Sequence, residues 1–197
     1  MPTNMRAALL VTLGLVLAPI GGDPILGQTQ QGAPTQAGAD AAEVIRNTDE
    51  WSLKRGLAIE GYDPVAYFPE GGGVPRKGDK NIAYTLEGVT YRFASASHRE
   101  LFVANPRRYE PAYGGWCAWA MKDGDKTKIN PKSFLVVQDR LFLFYDGLFG
   151  DTRMRWLNKN DHDIQAIAAD DQWMRISGES PRVDDAQDRS AENQETH

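Results

Sequence analysis

Two pairs of apolar, β-prone runs stand close together along the chain and predict two β-hairpins. Within each run the residue types favour strands, and only two or three polar or glycine residues separate the members of a pair. Such short connections are typical of antiparallel neighbours. The pairs are 82–86 with 89–93, joined by Glu87-Gly88, and 134–137 with 141–145, joined by 138–140.

Helical spacing and capping residues predict two helices. Ser97 followed by Glu100 fits a capping box, and this helix is expected to end before Pro106. A longer helix is expected at 161–176, with Asp161 as its N-cap. The residues expected to form its buried stripe are Ile164, Ile167, Ala168 and Trp173.

Two weaker elements complete the prediction. A helix is expected at 41–51, and a short strand or an extended segment at 65–68, where Asp63-Pro64 favours an extended or turn conformation before it. Hairpins followed by helices, without an alternating βαβ order, indicate an α+β class. We therefore expect a small single domain with antiparallel β-hairpins and two or three packed helices.

The two ends of the chain differ in composition from its middle. One basic residue precedes an apolar run at 7–20, which is typical of a secretory signal peptide. This pattern predicts a periplasmic or secreted protein, with no membrane span in the mature chain. The predicted divisions are a signal peptide at 1–27, a flexible linker at 28–45, a folded domain at 46–177 and a disordered acidic tail at 178–197.

Charge and cysteine content exclude some classes of function. Residues 46–177 hold 19 basic and 18 acidic residues, so they offer no basic field for nucleic acid. The single cysteine, Cys117, has no partner for an internal disulfide, and in an oxidising compartment it is either buried or reactive. No phosphate-binding loop, nucleophile elbow, CxxC or HExxH pattern occurs, which favours a protein without catalytic activity.

Several motifs follow one another in an informative order. They read Gly-Tyr-Asp-Pro-Val-Ala-Tyr-Phe at 61–68, Tyr-Arg-Phe-Ala-Ser at 91–95 and Tyr-Gly-Gly-Trp-Cys-Ala at 113–118. In this order, over about 57–175, the chain resembles the YHS-domain family in its exported bacterial branch. The resemblance also implies that Ala66, Ala94 and His98 stand where metal-associated members carry cysteines, so no closed four-ligand zinc site is implied here.

Cys117, His98 and Met121 are the candidate metal ligands. A thiolate, an imidazole and a thioether together suit copper(I), and the first two also suit zinc. By the resemblance, cysteine recurs at the position of Cys117 in the family branch. The plainer interpretation makes Cys117 and Met121 core residues and His98 an exposed first-turn residue. His162, between two aspartates, is expected to be solvated.

Three functional hypotheses remain open. The first is an exported YHS-domain module that binds copper or zinc without catalysis. The second is a single-cysteine thiol redox protein, which needs a solvent-accessible Cys117. The third is a binding scaffold whose aromatic surface meets a periplasmic protein or a small-molecule partner. A closed environment around Cys117, combined with an exposed aromatic patch, favours the third.

Overall fold

The computed structural model describes residues 46–159 and 161–180, and the predicted signal peptide and linker lie outside this range. It confirms the α+β class, because the described residues form three antiparallel hairpins and five α-helices. None of these helices is long and apolar enough to cross a bilayer. The strands are β1 (Asp79–Leu86), β2 (Val89–Phe93), β3 (Asn130–Val137), β4 (Arg140–Phe144), β5 (Asp146–Gly147) and β6 (Gly150–Asp151). The helices are α1 (Ala96–Ala104), α2 (Pro106–Tyr109), α3 (Ala118–Met121), α4 (Thr152–Asn158) and α5 (His162–Ser177).

The first hairpin pairs β1 with β2 in the predicted register, with Leu86 opposite Val89. Glu87 and Gly88 both have positive φ, 46° and 83°, which is the conformation of the primed turns that fit the twist of paired strands. Along β2, alternate residues are buried, and Phe102 of α1 packs against two of them, Tyr91 and Phe93. Alternate residues of β2 therefore form its buried face, as the sequence pattern predicts.

The second hairpin forms the centre of the core. All five residues of β4 are buried, because neighbours cover it on more than one side. Besides pairing with β3, it makes parallel bridges from Leu141 to Pro111 and from Leu143 to Cys117. The loop that carries the single cysteine is thus held against the most buried strand.

The predicted strand at 65–68 is wrong, since Val65–Tyr67 forms a turn of 3-10 helix. Asp63 explains the difference: its Oδ1 accepts a hydrogen bond from Val65 N at 2.9 Å. Pro64 then adopts helical backbone angles, and the chain curls instead of extending. Of the predicted helix at 41–51, only Thr48–Glu50 is helical in the described part, again as a 3-10 turn.

Helix α1 begins two residues earlier than predicted, at Ala96. Ser95, not Ser97, is the N-cap, and its Oγ accepts a hydrogen bond from His98 N at 3.2 Å. Ser97 lies inside the helix, where its hydroxyl contacts that of Ser95. The helix ends before Pro106, as predicted. The shift places His98 in the first turn, beside the loop that contains Asp63.

Helix α5 confirms the predicted element and its Asp161 cap, but the predicted stripe is mostly wrong. Ile164 and Ile167 are 64% and 60% exposed. Small residues face inward because the helix packs closely on α3 and on the 3-10 turn Ala112–Gly115. From this turn, Tyr113 Oη donates to Ala166 O at 3.4 Å. The buried residues of the helix are Gln165, Ala166, Ala169 and Trp173.

The glycines of the Tyr-Gly-Gly motif permit a close approach of backbone and aromatic rings. Gly114 has φ of 58°, and a Cβ there would lie 2.6 Å from the Trp173 ring and 3.1 Å from the Trp51 ring. These two rings meet edge to face, with centroids 6.3 Å apart. A side chain at position 114 would separate them, so the motif has a packing role.

Arg46 and Glu179 bring the two ends of the described chain together. Arg46 forms a bidentate pair with buried Glu110, at 2.7 and 3.1 Å, and lies 3.8 Å from Glu179. Trp51 Nε1 donates to Glu179 at 2.9 Å, and Tyr91 Oη donates to Glu110 at 2.6 Å. Glu179 therefore belongs to the folded domain, although the tail was predicted to begin at Gly178. The rest of that tail lies outside the described residues.

Candidate functional site

Cys117 is fully buried between α3, β4 and α4. Its Sγ accepts a hydrogen bond from Tyr145 N at 3.3 Å and lies 3.4 Å from Thr152 Oγ1. It occupies the N-cap position of α3, yet its side chain makes no capping hydrogen bond there. The sulfur therefore does not cap the helix.

Thr152 determines which atom carries the shared proton. Its hydroxyl has one proton, and it donates that proton to Tyr145 O at 2.8 Å. The contact between Cys117 and Thr152 must then use the thiol proton, with the sulfur as donor. The Cys117 thiol thus has both a donor and an acceptor role satisfied, which is the bonding of a structural cysteine.

His98 pairs with Asp63, a partner that the sequence analysis did not assign. The two side chains meet at 2.5 Å between Nδ1 and Oδ2, where Asp63 is fully buried and His98 is 16% exposed. The same Asp63 oxygen accepts a hydrogen bond from Ala94 N at 2.8 Å. The carboxylate therefore joins three segments of chain and fixes the imidazole.

The three candidate ligands lie in different surroundings, since Cys117 and Met121 are fully buried and His98 is 16% exposed beside Asp63. Met121 is fully buried in the core. Cys117 and His98 have no hydrogen-bond partner in common among the contacts described above. In residues 46–159 and 161–180, no group of three or more His, Cys, Asp or Glu side chains is placed to hold a metal ion. Metal binding by Cys117, His98 and Met121 therefore stays a prediction.

All aromatic side chains but one are at least half-buried. All 19 Phe, Tyr and Trp residues lie in the described part, and 18 of them are buried or half-buried. Phe149 is 82% exposed, and its neighbour Leu148 is 99% exposed. These two residues, the hairpin tip, connect β5 to β6.

The backbone of the hairpin tip is held in place while its side chains face solvent. Phe149 N lies 3.4 Å from Tyr145 Oη, to which it donates a hydrogen bond, and Arg155 Nη2 donates to Phe149 O at 2.9 Å. A Cβ on Gly147 would lie 2.6 Å from Tyr145 Oη, so this close support needs glycine. The exposed pair is thus presented by a supported turn.

A second feature is a groove between β3, α4 and the start of α5. It has a volume of about 300 Å³ and is lined by Leu135, Val137, Trp156, Leu157, Asp161 and His162. We refer to it as the α4–α5 groove. His162 is half-buried, and Trp156 Nε1 donates to its Nδ1 at 2.9 Å, so the prediction of a solvated histidine is wrong.

Neither feature was singled out by the sequence analysis. The hairpin tip had one usable signal, namely two large apolar residues between Gly147 and Gly150, outside any predicted strand or helix. The groove had none, because its residues come from three separated segments and only the packing of α4 against β3 brings them together.

Comparison with protein-family models, with curated proteins and with solved structures finds no match to this chain. The geometry described above is therefore the basis for a functional proposal.

Proposed function

We propose that this chain is an exported, non-catalytic docking module whose contact surface is the hairpin tip. The observation that carries the proposal is Phe149, the one exposed aromatic residue among 19, beside the almost completely exposed Leu148. Large apolar side chains that face water on a supported turn are a feature of interaction sites. The predicted signal peptide supports the export part of the proposal.

The partner that fits this surface is a protein with an apolar pocket. Two protruding apolar side chains complement a concave apolar site, and burying a leucine or phenylalanine side chain contributes about 1.5–3 kcal/mol each. Arg155 lies against the hairpin tip and adds a cation beside it. An acidic rim around the pocket would complement this charge.

The surroundings of Cys117 favour this function over the alternatives. A thiol redox protein needs an accessible sulfur of thiolate character, whereas Cys117 is buried and donates its proton to Thr152. A copper or zinc module needs several ligands around one point, and the described residues place no group of three or more His, Cys, Asp or Glu side chains that could hold a metal ion. The binding-scaffold hypothesis requires neither condition.

Site-specific photo-crosslinking tests the proposal. Benzoylphenylalanine replaces Phe149 in one variant and Val74, another exposed apolar residue, in a second. In producing cells we expect a discrete protein adduct from position 149 that Leu148→Ser abolishes, and no such adduct from position 74. Equal adducts from both positions, or none from position 149, would contradict the proposal. An adduct with lipid alone would exclude a protein partner.

A further inference from the structure

The α4–α5 groove differs from the hairpin tip because it is concave and contains a polar group with a defined donor. Its walls are mostly apolar, from Leu135, Val137, Trp156 and Leu157. Its volume of about 300 Å³ lies at the lower end of the range of small-molecule sites. Small-molecule sites combine such walls with a few fixed polar groups.

The hydrogen bond from Trp156 determines the tautomer of His162. An indole nitrogen can only donate, so Nδ1 must accept and the ring proton lies on Nε2. Among the described residues, none accepts a hydrogen bond from that Nε2. Burial lowers the pKa of His162, which keeps the ring neutral at pH 7. His162, which lines the groove, therefore carries one neutral N–H donor on a ring that Trp156 holds in place.

The charges nearby select against anions. Asp161 lines the groove, and its Oδ1 accepts the capping hydrogen bond from Ile164 N at 3.3 Å. Burial lowers the pKa of His162 most, and the charge of Arg140 acts with it, while the charge of Asp163 opposes them. Arg140 is itself paired with Asp170 at 2.6 Å, so little of its charge is left for an anion. A carboxylate or phosphate ligand would meet these negative charges, whereas a neutral ligand would not.

We propose that the α4–α5 groove binds a neutral, apolar small molecule that accepts one hydrogen bond from His162 Nε2. The apolar body of the ligand replaces water against Trp156 and Leu157. Its carbonyl or hydroxyl oxygen pairs with the histidine donor. This binding site lies outside the hairpin tip and does not depend on the docking function.

Three naphthalene probes separate the elements of this proposal. 2-Acetonaphthone is neutral and has a carbonyl acceptor, 2-ethylnaphthalene lacks the acceptor, and 2-naphthoate has an acceptor with a negative charge. The readout is the indole N–H signal of Trp156 in ¹H–¹⁵N spectra, with the Trp51 indole as internal reference. We expect the ketone to bind roughly 5- to 10-fold more tightly than the hydrocarbon, the difference made by one hydrogen bond. The naphthoate should bind most weakly.

Variants assign this preference to the groove. In His162→Asn, the Asn Oδ1 replaces Nδ1 as the acceptor for Trp156, and the Nε2 donor is lost. We expect the ketone and the hydrocarbon then to bind equally. Leu157→Glu, at an exposed position, should weaken binding of the ketone at least 10-fold by placing a charge in the groove. Leu148→Ser at the hairpin tip should leave the affinity for the ketone unchanged.

Two results would overturn this inference. One is the absence of any Trp156 shift with the ketone, and the other is equal affinity for all three probes in the wild-type chain. Neither result affects the crosslinking expected from position 149, so failure of the groove and failure of the docking function are distinguishable.

Discussion

At the scale of single residues, hydrogen bonds decide what each polar side chain can do. Cys117 shares its proton with Thr152 and accepts from the backbone of Tyr145, so its sulfur is part of the packing between β4 and α4. The carboxylate oxygens of Asp63 similarly accept hydrogen bonds from Val65 N and Ala94 N and pair with the His98 ring. Both residues lie in motifs that carry the family resemblance, and both hold loops together.

The buried thiol predicts slow alkylation. In the folded protein, iodoacetamide should modify Cys117 only through unfolding, so the rate should rise with urea in parallel with the unfolded fraction. As a control, Phe149→Cys in a Cys117→Ala background should react immediately without urea. Fast labelling of Cys117 in the native wild-type chain would contradict the bonding described here.

The Asp63 carboxylate predicts a large loss of stability on its removal. Asp63→Ala leaves the amides of Val65 and Ala94 and the His98 ring without their acceptor, which should cost about 3–5 kcal/mol of unfolding free energy. Asp79→Ala is a matched control, because Asp79 caps one exposed amide, Asn81 N, and should cost less than about 1 kcal/mol. Urea denaturation measures both, and similar losses would show that the Asp63 contacts carry little energy.

At the scale of elements, α5 shows how the start of a helix is fixed. Asp161 caps its first turn, and His162 turns back to accept the hydrogen bond from Trp156 of α4. The rings of Trp156 and His162 also meet Phe142 of β4, at centroid distances of 5.9 and 5.0 Å. One histidine thus links two helices and the central strand.

This arrangement predicts a stability that depends on pH. Burial lowers the pKa of His162, and the charge of Arg140 acts in the same direction, while Asp163 and Asp170 oppose them. Folding therefore favours the neutral ring. The neutral ring contributes its full stabilisation above the ordinary histidine pKa of about 6.5. This stabilisation is lost as the pH falls through the lower pKa that His162 has in the folded state.

Denaturation curves between pH 7.5 and 5.0 measure this effect. The wild-type chain should lose unfolding free energy over that range, because protonation of Nδ1 removes the acceptor for Trp156. His162→Asn should lose distinctly less, and the difference between the two profiles isolates His162 from other groups. Parallel profiles would mean that His162 has the same proton affinity in the folded and unfolded chains.

The elements show how much a sequence pattern can predict. The turns at 87–88 and 138–139, the end of α1 before Pro106 and the Asp161 cap were predictable, because they depend on neighbouring residues. The stripe of α5 was not, because the close approach of α3 and Tyr113 turns its small residues inward and leaves Ile164 and Ile167 outside. Hydrophobicity alone does not specify that choice.

The candidate sites were less predictable than the fold. His98 and Cys117 were identified as notable residues, but their partners Asp63 and Thr152 are 35 positions away in each case. Such pairs form only when loops pack, and no local spacing reveals them. The hairpin tip was visible as Gly-Leu-Phe-Gly, although its exposure depends on support from Tyr145 and Arg155.

At the scale of the whole domain, one charged cluster joins the ends of the described chain. Arg46 pairs with buried Glu110, with half-exposed Glu87 and with Glu179. Removing a partner from a buried ion pair is costly, because the remaining charge stays in a poorly solvated place. Exposed pairs contribute far less.

Three single substitutions should therefore have graded effects. We expect losses of unfolding free energy of about 3–5 kcal/mol for Glu110→Ala, about 1–3 kcal/mol for Glu179→Ala and less than about 1 kcal/mol for Glu87→Ala. Urea denaturation at low and at moderate salt measures the series, and only the Glu87 value should depend on salt. A negligible effect of Glu179→Ala would place that residue outside the cooperative unit.

The cluster around Arg46 also means that the two ends of the described chain lie within reach of each other's side chains, with Arg46 Nε 3.8 Å from a Glu179 oxygen. A short glycine–serine linker would bridge the two backbone positions. Circular permutants with new termini opened elsewhere should then fold, and the domain should tolerate insertion as a cassette into a surface loop of a host protein.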